Sequence, residues 1–298
     1  MGGIKEEVCN ALILPRRSRD FLNGMGSVLD VNLYLSQNRF CYKIRSDSKK
    51  YASLLGEGIY KNEIQSDNIY ETEAQLFIEH LNCRSRRAAE HFRCHRFYEF
   101  QIHDKLILGE GGGVYHNIQP LRLHPLYGIP YIPASVIKGT LRSVWVIERY
   151  GGDEEKAKED DGFLQLFEGK GAADQPSEGK LIFFDIYPKE FTIGLDVQTV
   201  HYKRYYDSNQ SKGRLKQPTD DQSPVPVLFV CLRKGVFPVF IANHDENVWD
   251  HRKEEIDEMI ELMFTQYGIG AKTALGYGTG KVSWEESSTY FDANPKCT

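Results

Sequence analysis

Several features that mark common classes of protein are missing from this chain of 298 residues. No apolar stretch approaches the roughly 20 residues that a membrane-spanning helix needs. The first ten residues, MGGIKEEVCN, lack the charged-then-apolar order of a signal peptide. The six cysteines include no CxxC pair, which favours reduced thiols over a disulfide framework. We therefore expect a soluble protein of the cytoplasm.

The chain also lacks a net positive charge. With 37 basic and 42 acidic residues, its formal net charge is −5, which argues against a protein that coats nucleic acid indiscriminately. The arginines are clustered instead, at residues 16–19 and 84–96. Each cluster indicates either a nucleic-acid contact or an ordinary solvated helical face, and the sequence leaves both interpretations open.

Ligand sets for a metal ion are missing as well. A metal-dependent nuclease requires convergent carboxylates, and no spaced pair stands out beyond the acidic run 153–161. His91, Cys94 and His95 lie close together, but a fourth zinc ligand at a suitable spacing is absent. We therefore predict neither a metal site nor a cofactor.

A glycine-rich run at Gly268–Gly278 follows a segment with helical periodicity. Glycine adopts positive φ without a steric penalty and lets a polymer backbone approach main-chain N–H groups. The intervening residues add a cation, a hydroxyl and an aromatic ring, an inventory typical of contacts to phosphates and a stacked base. The RNA-binding residues predicted here are Gly268, Gly270, Ala271, Lys272, Thr273, Gly276, Tyr277 and Gly278.

This run has two other interpretations. A nucleotide-binding P-loop fails on spacing, because Gln266 and Ala271 stand where that motif has its two glycines. A helix C-cap followed by a tight return to an edge strand would need only one or two glycines, and that alternative stays open.

A second element, GIPYIPASVIKGTLRSVW, lies at Gly128–Trp145 and is predicted to pass from an extended segment into a helix. Lys138 and Arg142 are four residues apart, so they share one helical face near the N-terminus, where phosphates bind favourably. Ser135 is predicted to cap this helix or, alternatively, to donate its hydroxyl. We predict that Ser135, Lys138 and Arg142 contact RNA.

From Phe97 onwards the predicted elements follow the order β, α, β, β, α, β. This order is typical of the split βαβ, or ferredoxin-like (RRM-like), α+β fold, with two helices on one face of an antiparallel sheet. The predictions are a strand over 97–108, a helix over 134–150, a strand from Leu181, a hairpin around Arg233–Gly235, a helix over 247–267 and a last strand over 278–284. Residues 1–96 are predicted as a partly helical N-terminal extension, and residues 97–298 as the ferredoxin-like domain.

Two insertions are predicted within this domain. Residues 151–179 are highly charged and predict an exposed segment with one short helix. Residues 191–225 are rich in Pro, Gly, Ser and Asp and predict a long, thumb-like loop. This loop alternates rings and cations, as a base-stacking arm or an interface with a neighbouring subunit would. The predicted RNA contacts in it are His201, Tyr202, Arg204 and Tyr205.

The two glycine-containing elements resemble those of a known family. The pattern G-x-P-Y-I-P-x-S-x-x-K-G-x-x-R before the first helix, and the glycine-rich run after the last, resemble the RAMP proteins of CRISPR RNA-guided effector complexes. The segments LDVQTVHYKRYY and PVPVLFV narrow the resemblance to the family of the sixth subunit of the type III-B (Cmr) complex, although Val200 stands where we expect Pro. The resemblance covers about residues 97–284, and the first 96 residues match only loosely.

This resemblance implies a non-catalytic RNA-binding subunit of a ribonucleoprotein that takes part in antiviral defence. It implies contact with the 3′ part of the guide RNA and with the guide–target duplex. The implied partners are CRISPR guide RNA, target RNA and other Cmr subunits, especially the repeated backbone RAMP subunits, with no membrane.

An enzymatic alternative stays open, because related RAMP proteins include metal-independent endoribonucleases that process CRISPR-repeat RNA. In that case His103, His116 or His124 would be the general base, with Tyr115 or Lys138 assisting. The sequence shows no convincing acid–base pair, so we expect the binding function.

Overall fold

The computed structural model describes residues 41–43, 51–53, 64–65, 72–109, 121–168, 178–200 and 225–284. Its strands are β1 (Cys41–Lys43), β2 (Tyr51–Ser53), β3 (Ile64–Gln65), β4 (Cys94–Ile102), β5 (Leu181–Phe183), β6 (Glu190–Val200), β7 (Val225–Asn243) and β8 (Gly280–Trp284). Its α-helices are α1 (Thr72–Glu90), α2 (Ala134–Tyr150), α3 (Glu154–Glu159), α4 (Asp161–Phe167) and α5 (Glu246–Leu262). A π-helical turn, Met263–Tyr267, continues α5, and a 3-10 turn, Thr273–Leu275, precedes β8.

The chain divides into two compact units that alternate along the sequence. The first unit comprises residues 1–64, 110–121 and 193–231, and the second comprises 65–109, 122–192 and 232–298. Helix α1, which the sequence analysis assigns to an N-terminal extension, belongs to the same unit as β4; the domain boundary at residue 96 itself stays a prediction. None of the helices in the described part of the chain is long and apolar enough to cross a bilayer.

Six of the described strands form one sheet in the order β3-β6-β7-β4-β8, with β5 also paired to β7, whereas β1 and β2 form a separate two-stranded sheet. Strand β4 is antiparallel to both of its neighbours. In this register Phe100 pairs with Phe237 of β7 on one side and with Val282 of β8 on the other. Strand β5 is antiparallel to the end of β7. The order β8-β4-β7-β5 is that of a ferredoxin-like sheet, so the predicted α+β fold class is confirmed.

Helices cover both faces of β4. On one face Phe100 stacks on Phe264, with ring centroids 4.3 Å apart, and the Tyr98 hydroxyl donates to Asp257 of α5 at 2.7 Å. The apolar face predicted for α5 is confirmed as buried, at Ile256, Met259, Ile260 and Met263. Successive strand residues point to opposite faces, and on the other face Phe97 packs against Ala89 of α1.

Strand β7 shows that the predicted hairpin is wrong, because the chain runs straight through Arg233–Gly235. The favoured two-residue hairpin turns require positive φ, and Gly235 is not among the positive-φ glycines. A Cβ at this position would lie 2.7 Å from the Phe237 ring and 3.0 Å from Ile102. The glycine therefore serves packing inside a strand rather than a turn.

Proline at position 238 is tolerated inside β7 because the sheet is interrupted beside it. Alternate residues of an antiparallel strand direct their N–H and C=O groups to opposite neighbours. The Val236 carbonyl accepts from the Lys189 N–H at 2.8 Å, so Pro238 faces the same side, away from β4. On that side β5 has ended at Phe183 and β6 begins only at Glu190. The intervening residues leave the sheet and reach α2.

The described residues 151–168 do not fit the predicted exposed insertion with one short helix. They contain two described helices, α3 and α4, whose first turns are capped by the carboxylates of Asp153 and Asp160. Phe163 and Phe167 of α4 are buried, and the Phe167 ring packs edge-on against Trp145 at 5.6 Å. Among the many charged residues of this segment, apolar residues recur at helical spacing. They form a buried face of α4, which anchors the segment in the core.

The long loop predicted over residues 191–225 is wrong for its first ten residues. Residues 190–200 form β6, and Phe191 and Ile193 are buried in it. The alternation of apolar and polar residues in β6 is the signal for a strand, and it is a better guide here than the polar composition of the whole stretch, which favoured a loop. Residues 201–224, including the predicted RNA contacts from His201 to Tyr205, lie outside the described residues.

The cysteines are only partly as predicted. Cys94 and Cys231 are free and buried, whereas Cys83 is disulfide-bonded. The prediction of reduced thiols is therefore wrong at Cys83. Spacing along the chain could not reveal this bond, because folding brings together cysteines that are distant in sequence.

Candidate nucleic-acid interface

The N-terminus of α2 is closed by a carboxylate from another segment. Pro133 occupies the N-cap position and offers no side-chain hydrogen bond. The Ala134 N–H donates instead to Asp185 Oδ1 at 2.8 Å, and Asp185 lies in the segment that leaves the sheet beside Pro238. Ser135 is exposed inside the first turn, so the prediction that it caps the helix is wrong. Its contact with RNA stays a prediction.

Lys138 and Arg142 share a face of α2 but differ in their surroundings. Lys138 is partly exposed, and no carboxylate of the described chain segments pairs with it. The Arg142 guanidinium donates to Glu154 at 2.9 and 2.8 Å and to Glu168 at 3.1 and 2.6 Å. It also lies over the Phe163 ring, 5.1 Å from the centroid.

Electrostatics strengthen this arrangement around Arg142. Hydrogen bonding to Glu154 raises the pKa of Arg142, and Arg142 in turn lowers the pKa of Glu154. A phosphate group could reach this guanidinium only by displacing one of the two carboxylates. Arg142 thus joins α2 to α3 and to the end of α4, while Lys138 is the more available cation.

The glycine-rich loop Gly268–Gly278 adopts the positive φ angles that its glycines predict. Gly268, Gly270, Gly276 and Gly278 all have positive φ, and Lys272 joins them at 60°. A Cβ at Gly270 would collide with the Ile107 carbonyl, and a Cβ at Gly278 would collide with the backbone of Ile269. These two glycines are needed because main chain passes close to main chain.

The fold of the loop uses many of its own N–H groups. The Ile269 N–H donates to Gly278 at 3.0 Å, that of Ala271 donates to Ile107 at 3.0 Å, and that of Gly278 donates to Lys105 at 2.7 Å. Within this loop, the N–H groups for which the described residues provide no acceptor are those of Gly270, Thr273 and Ala274. The loop is therefore a rigid turn with a few outward donors, rather than a continuous row of free amides.

The outward part of the loop is the stretch 274–276, where Leu275 is 72% exposed. Behind it the Tyr277 ring lies 5.6 Å from Lys105 Nζ, measured from its centroid. Two lysines thus lie near the outward N–H groups: Lys272 within the loop and Lys105 beside the Tyr277 ring. Such a combination of amides, cations and a ring can hold a phosphate and an adjacent base.

The loop and the Lys138 end of α2 do not meet. The Tyr267 hydroxyl, directly before the loop, donates to Glu148 at the C-terminal end of α2 at 2.5 Å. Lys138 precedes Glu148 by ten residues, which corresponds to about 15 Å along the helix axis. The two groups of residues that are predicted to bind RNA therefore lie apart on one unit.

The predicted arginine cluster at residues 84–96 is divided by folding. Arg86 is buried, bonds to Glu90 at 3.0 Å and stacks on Phe97. Arg93 and Arg96 pair with carboxylates of α5. The exposed arginines of this group that carry no described ion pair are Arg84 and Arg87.

Sequence reasoning missed a cluster of aromatic rings. His124 stacks on Tyr127 with centroids 4.2 Å apart and planes 12° apart. Tyr131 stacks on Tyr187 at 6.0 Å, and His124 lies edge-on to Tyr131 at 5.2 Å. The segment HPLYGIPY carried a signal for this cluster in its close-spaced rings, but Tyr187 joins it from 56 residues further along the chain.

The ring of His124 is held as a hydrogen-bond acceptor. Its Nδ1 lies 3.3 Å from the N–H groups of both Leu126 and Tyr127, so Nδ1 carries the lone pair and Nε2 the proton of a neutral ring. Burial lowers the pKa of His124, against a smaller opposing effect of Asp185. A general base needs a free lone pair, so this geometry does not suit the base role considered for His124.

No group of three His, Cys, Asp or Glu side chains that could hold a metal ion occurs within residues 72–109, 121–168, 178–200 and 225–284 or the three short strands before them.

Comparison with known proteins identifies relatives. The RAMP superfamily pattern matches residues 100–281. The chain is 28% identical over 234 residues to the CRISPR system Cmr subunit Cmr6 of Pyrococcus furiosus, covering 60% of this chain and 66% of the relative. It is 28% identical over 163 residues to the CRISPR system CMR subunit Cmr6 of Saccharolobus solfataricus, covering 53% of this chain and 47% of that relative. The chain thus spans less than two thirds of either relative.

Solved structures align more weakly. A chain of the type III-B Cmr-beta complex bound to cognate target RNA aligns with a TM-score of 0.44 and 21% identity, over 74% of this chain and 84% of its own length. Crystalline Cmr6 from Pyrococcus furiosus aligns with a TM-score of 0.34 and 22% identity, over 64% of this chain and 98% of its own length. The family assignment rests on the sequence match.

Proposed function

The chain belongs to the RAMP superfamily, and we propose that it is a non-catalytic, RNA-binding subunit of a type III-B CRISPR (Cmr) ribonucleoprotein complex. The observation that carries this proposal is the pair of curated relatives, both named as Cmr6 subunits of a CRISPR system. The RAMP superfamily pattern, at residues 100–281, also includes strands β5 and β7 and both glycine-containing elements of this chain. In this proposal the protein helps to assemble an RNA-targeting antiviral complex.

In this proposal the loop Gly268–Gly278 binds phosphates of the guide RNA. The N–H groups of Gly270, Thr273 and Ala274 would donate to phosphate oxygens, and Lys272 would add a positive charge. The exposure of this turn supports the proposal. The contact would lie in the 3′ part of the guide RNA, next to the repeated backbone RAMP subunits.

A second phosphate contact would lie at Lys138, with Ser135 as a hydroxyl donor. Its separation from the loop supports contact with different nucleotides of one strand. Arg142 would act here mainly by holding α2 against α3 and α4, because its guanidinium already bonds to Glu154 and Glu168. The arm with His201, Tyr202, Arg204 and Tyr205 would order or separate bases of the guide–target duplex, with target RNA as the second nucleic-acid partner.

A binding role fits the chemistry better than cleavage. The His124 ring uses its lone pair to accept two backbone N–H groups. His103 is exposed, and no side chain of the described residues hydrogen-bonds to its ring, so it lacks an acid–base partner there. These observations support the assembly function over metal-independent processing of repeat RNA.

The test is to express the chain with the other Cmr subunits and a guide RNA, and to purify the complex through a tag on a different subunit. We expect the protein to co-purify with guide RNA. The protein alone is also incubated with CRISPR-repeat RNA and an unrelated single-stranded RNA, with and without Mg²⁺. Intact RNA and salt-sensitive binding support the proposal, whereas a discrete metal-independent cut in the repeat would replace it with the nuclease function.

A further inference from the structure

The turn between His124 and Gly128 presents a stacked aromatic pair beside an exposed apolar tip. The rings of His124 and Tyr127 are nearly parallel, with centroids 4.2 Å apart, and both residues are partly exposed. Leu126 lies between them in sequence and is 71% exposed. Single exposed leucines are common, but this leucine adjoins two partly exposed rings in one turn.

The backbone holds this turn in a fixed shape. The His124 N–H donates to Ile129 at 2.8 Å, and the Gly128 N–H returns to the His124 carbonyl at 2.7 Å. Gly128 supplies the positive φ of 72° that the return requires. The two N–H bonds to His124 Nδ1 fix the imidazole against the Tyr127 ring. A fixed ring pair needs little ordering when a ligand stacks on it, which favours binding.

The rings also pack against buried residues of the core. Tyr127 and Tyr131 pack against a buried cluster that contains Ile78 and Leu81 of α1 and Tyr187. Burial raises the pKa of Tyr187 to about 12, so its hydroxyl stays neutral at physiological pH. The Asn82 side chain donates to the Tyr187 carbonyl at 3.0 Å. The platform therefore rests on a helix rather than on a mobile loop tip.

The charges around the rings favour a nucleic acid over an acidic or neutral partner. Arg84 lies close enough to Tyr187 to lower its pKa, and it is exposed. Arg122 precedes His124 by two residues in an extended segment, so both lie on one side, opposite the buried Leu121 and Leu123. The described acid beside the rings is Asp185, whose carboxylate bonds to the α2 N-terminus.

We propose that Tyr127, stacked on His124 and flanked by Leu126, is a base-stacking platform for single-stranded RNA, with Arg84 and Arg122 attracting the neighbouring phosphates. This inference rests on the proposed function as an RNA-binding subunit and adds a contact to it. Aromatic rings bind any base through its π face, and basic residues beside them track the backbone. The platform would recognise unpaired nucleotides without a sequence preference.

The test combines variants of the full chain with two probes, a short fluorescein-labelled single-stranded RNA and an abasic oligonucleotide of the same length and charge. Fluorescence anisotropy measures both affinities. We expect Tyr127→Leu to weaken RNA binding by at least about fivefold, the lower end of what one base–aromatic stack contributes, and to leave abasic binding unchanged. Tyr127→Phe keeps the ring and should bind as the wild type does.

A second pair of variants avoids the buried cluster. Leu126→Ser should weaken RNA binding, whereas Ile147→Ser, at a 43% exposed isoleucine near the far end of α2, should not. The slope of log affinity against log salt should be unchanged by Tyr127→Leu, because no phosphate contact is removed. Unfolding in urea shows that each variant is folded.

Three outcomes would overturn the proposal. If wild-type protein binds RNA and Tyr127→Leu binds it equally well, the platform is wrong and the proposed function stands. If Tyr127→Leu and Leu126→Ser keep RNA affinity but no longer co-purify with the other Cmr subunits, the surface binds protein instead. If the wild type prefers neither probe and retains no RNA in the complex, both proposals fail.

Discussion

Arg142 of α2 binds Glu154 of α3 through two parallel hydrogen bonds of 2.9 and 2.8 Å. Its remaining donors reach Glu168 just beyond α4. We therefore expect Arg142→Ala to destabilise the fold by about 1–2 kcal/mol, as loss of partly exposed, charge-assisted hydrogen bonds does. Urea unfolding measures this change.

The matched variant is Lys138→Ala, one turn earlier on the same face. It should leave stability within about 0.5 kcal/mol of the wild type and reduce the salt slope of RNA binding by about 1. If Arg142→Ala instead retains full stability and lowers the salt slope, then Arg142 is the phosphate contact.

Two glycines of the loop Gly268–Gly278 should respond very differently to the same substitution. At Gly278 an added Cβ collides with the backbone of Ile269, whereas at Gly276 it meets nothing within 4 Å. Both have positive φ, so Gly276→Ala should cost about 1–2 kcal/mol, and Gly278→Ala should cost more and displace the loop. Hydrogen exchange of the Ile269 and Ala271 amides, with urea unfolding, measures this. Equal effects would show that the close approach at Gly278 is not required.

The neutral state of His124 should make folding stability depend on pH. Burial lowers its folded-state pKa, while Asp185 opposes this more weakly. In the unfolded chain His124 has an ordinary pKa near 6.5. As pH falls below that value, the unfolded state takes up a proton before the folded state does, so stability falls. Above about pH 7.5 this contribution is constant.

Urea unfolding at pH 7.5 and pH 5.5 tests this dependence. His124→Asn retains an oxygen acceptor for the Leu126 and Tyr127 N–H groups but does not titrate. The wild type should lose more stability than His124→Asn between the two pH values. Equal losses would assign the pH dependence to other groups.

Asp185 places a negative charge at the end of α2 where Lys138 is proposed to hold a phosphate. Asp185→Asn retains an oxygen acceptor for the Ala134 N–H and removes the charge. The loss of one favourable helix-dipole interaction should destabilise the fold by less than about 1 kcal/mol. RNA affinity at low salt should rise, and the gain should shrink at high salt because the repulsion is screened. An affinity that stays unchanged at low salt would mean that RNA does not approach this end of α2.

Strong local signals made part of the fold predictable. Helix α2 begins and ends where the sequence places it, at Ala134 and Tyr150, and a left-handed Gly151 closes it. The loop Gly268–Gly278 has positive φ at each of its four glycines. Local composition was misleading where a long-range contact decided the outcome. The segment around Gly235 continues as a strand because β4 pairs along it, and Phe163 anchors a charged segment that looked exposed.

The sequence by itself determined helices α2 and α5, the fold class and the residues rich in amide, cation and ring chemistry, because these follow from periodicity and from the conformational range of each residue. Only the tertiary structure decided which of those groups remain available. It pairs Arg142 with Glu154 and Glu168, places Asp185 at the N-terminus of α2, and joins Tyr187 to the rings of His124 and Tyr127. Such contacts depend on long-range packing between segments that are distant in sequence, and local pattern does not encode them.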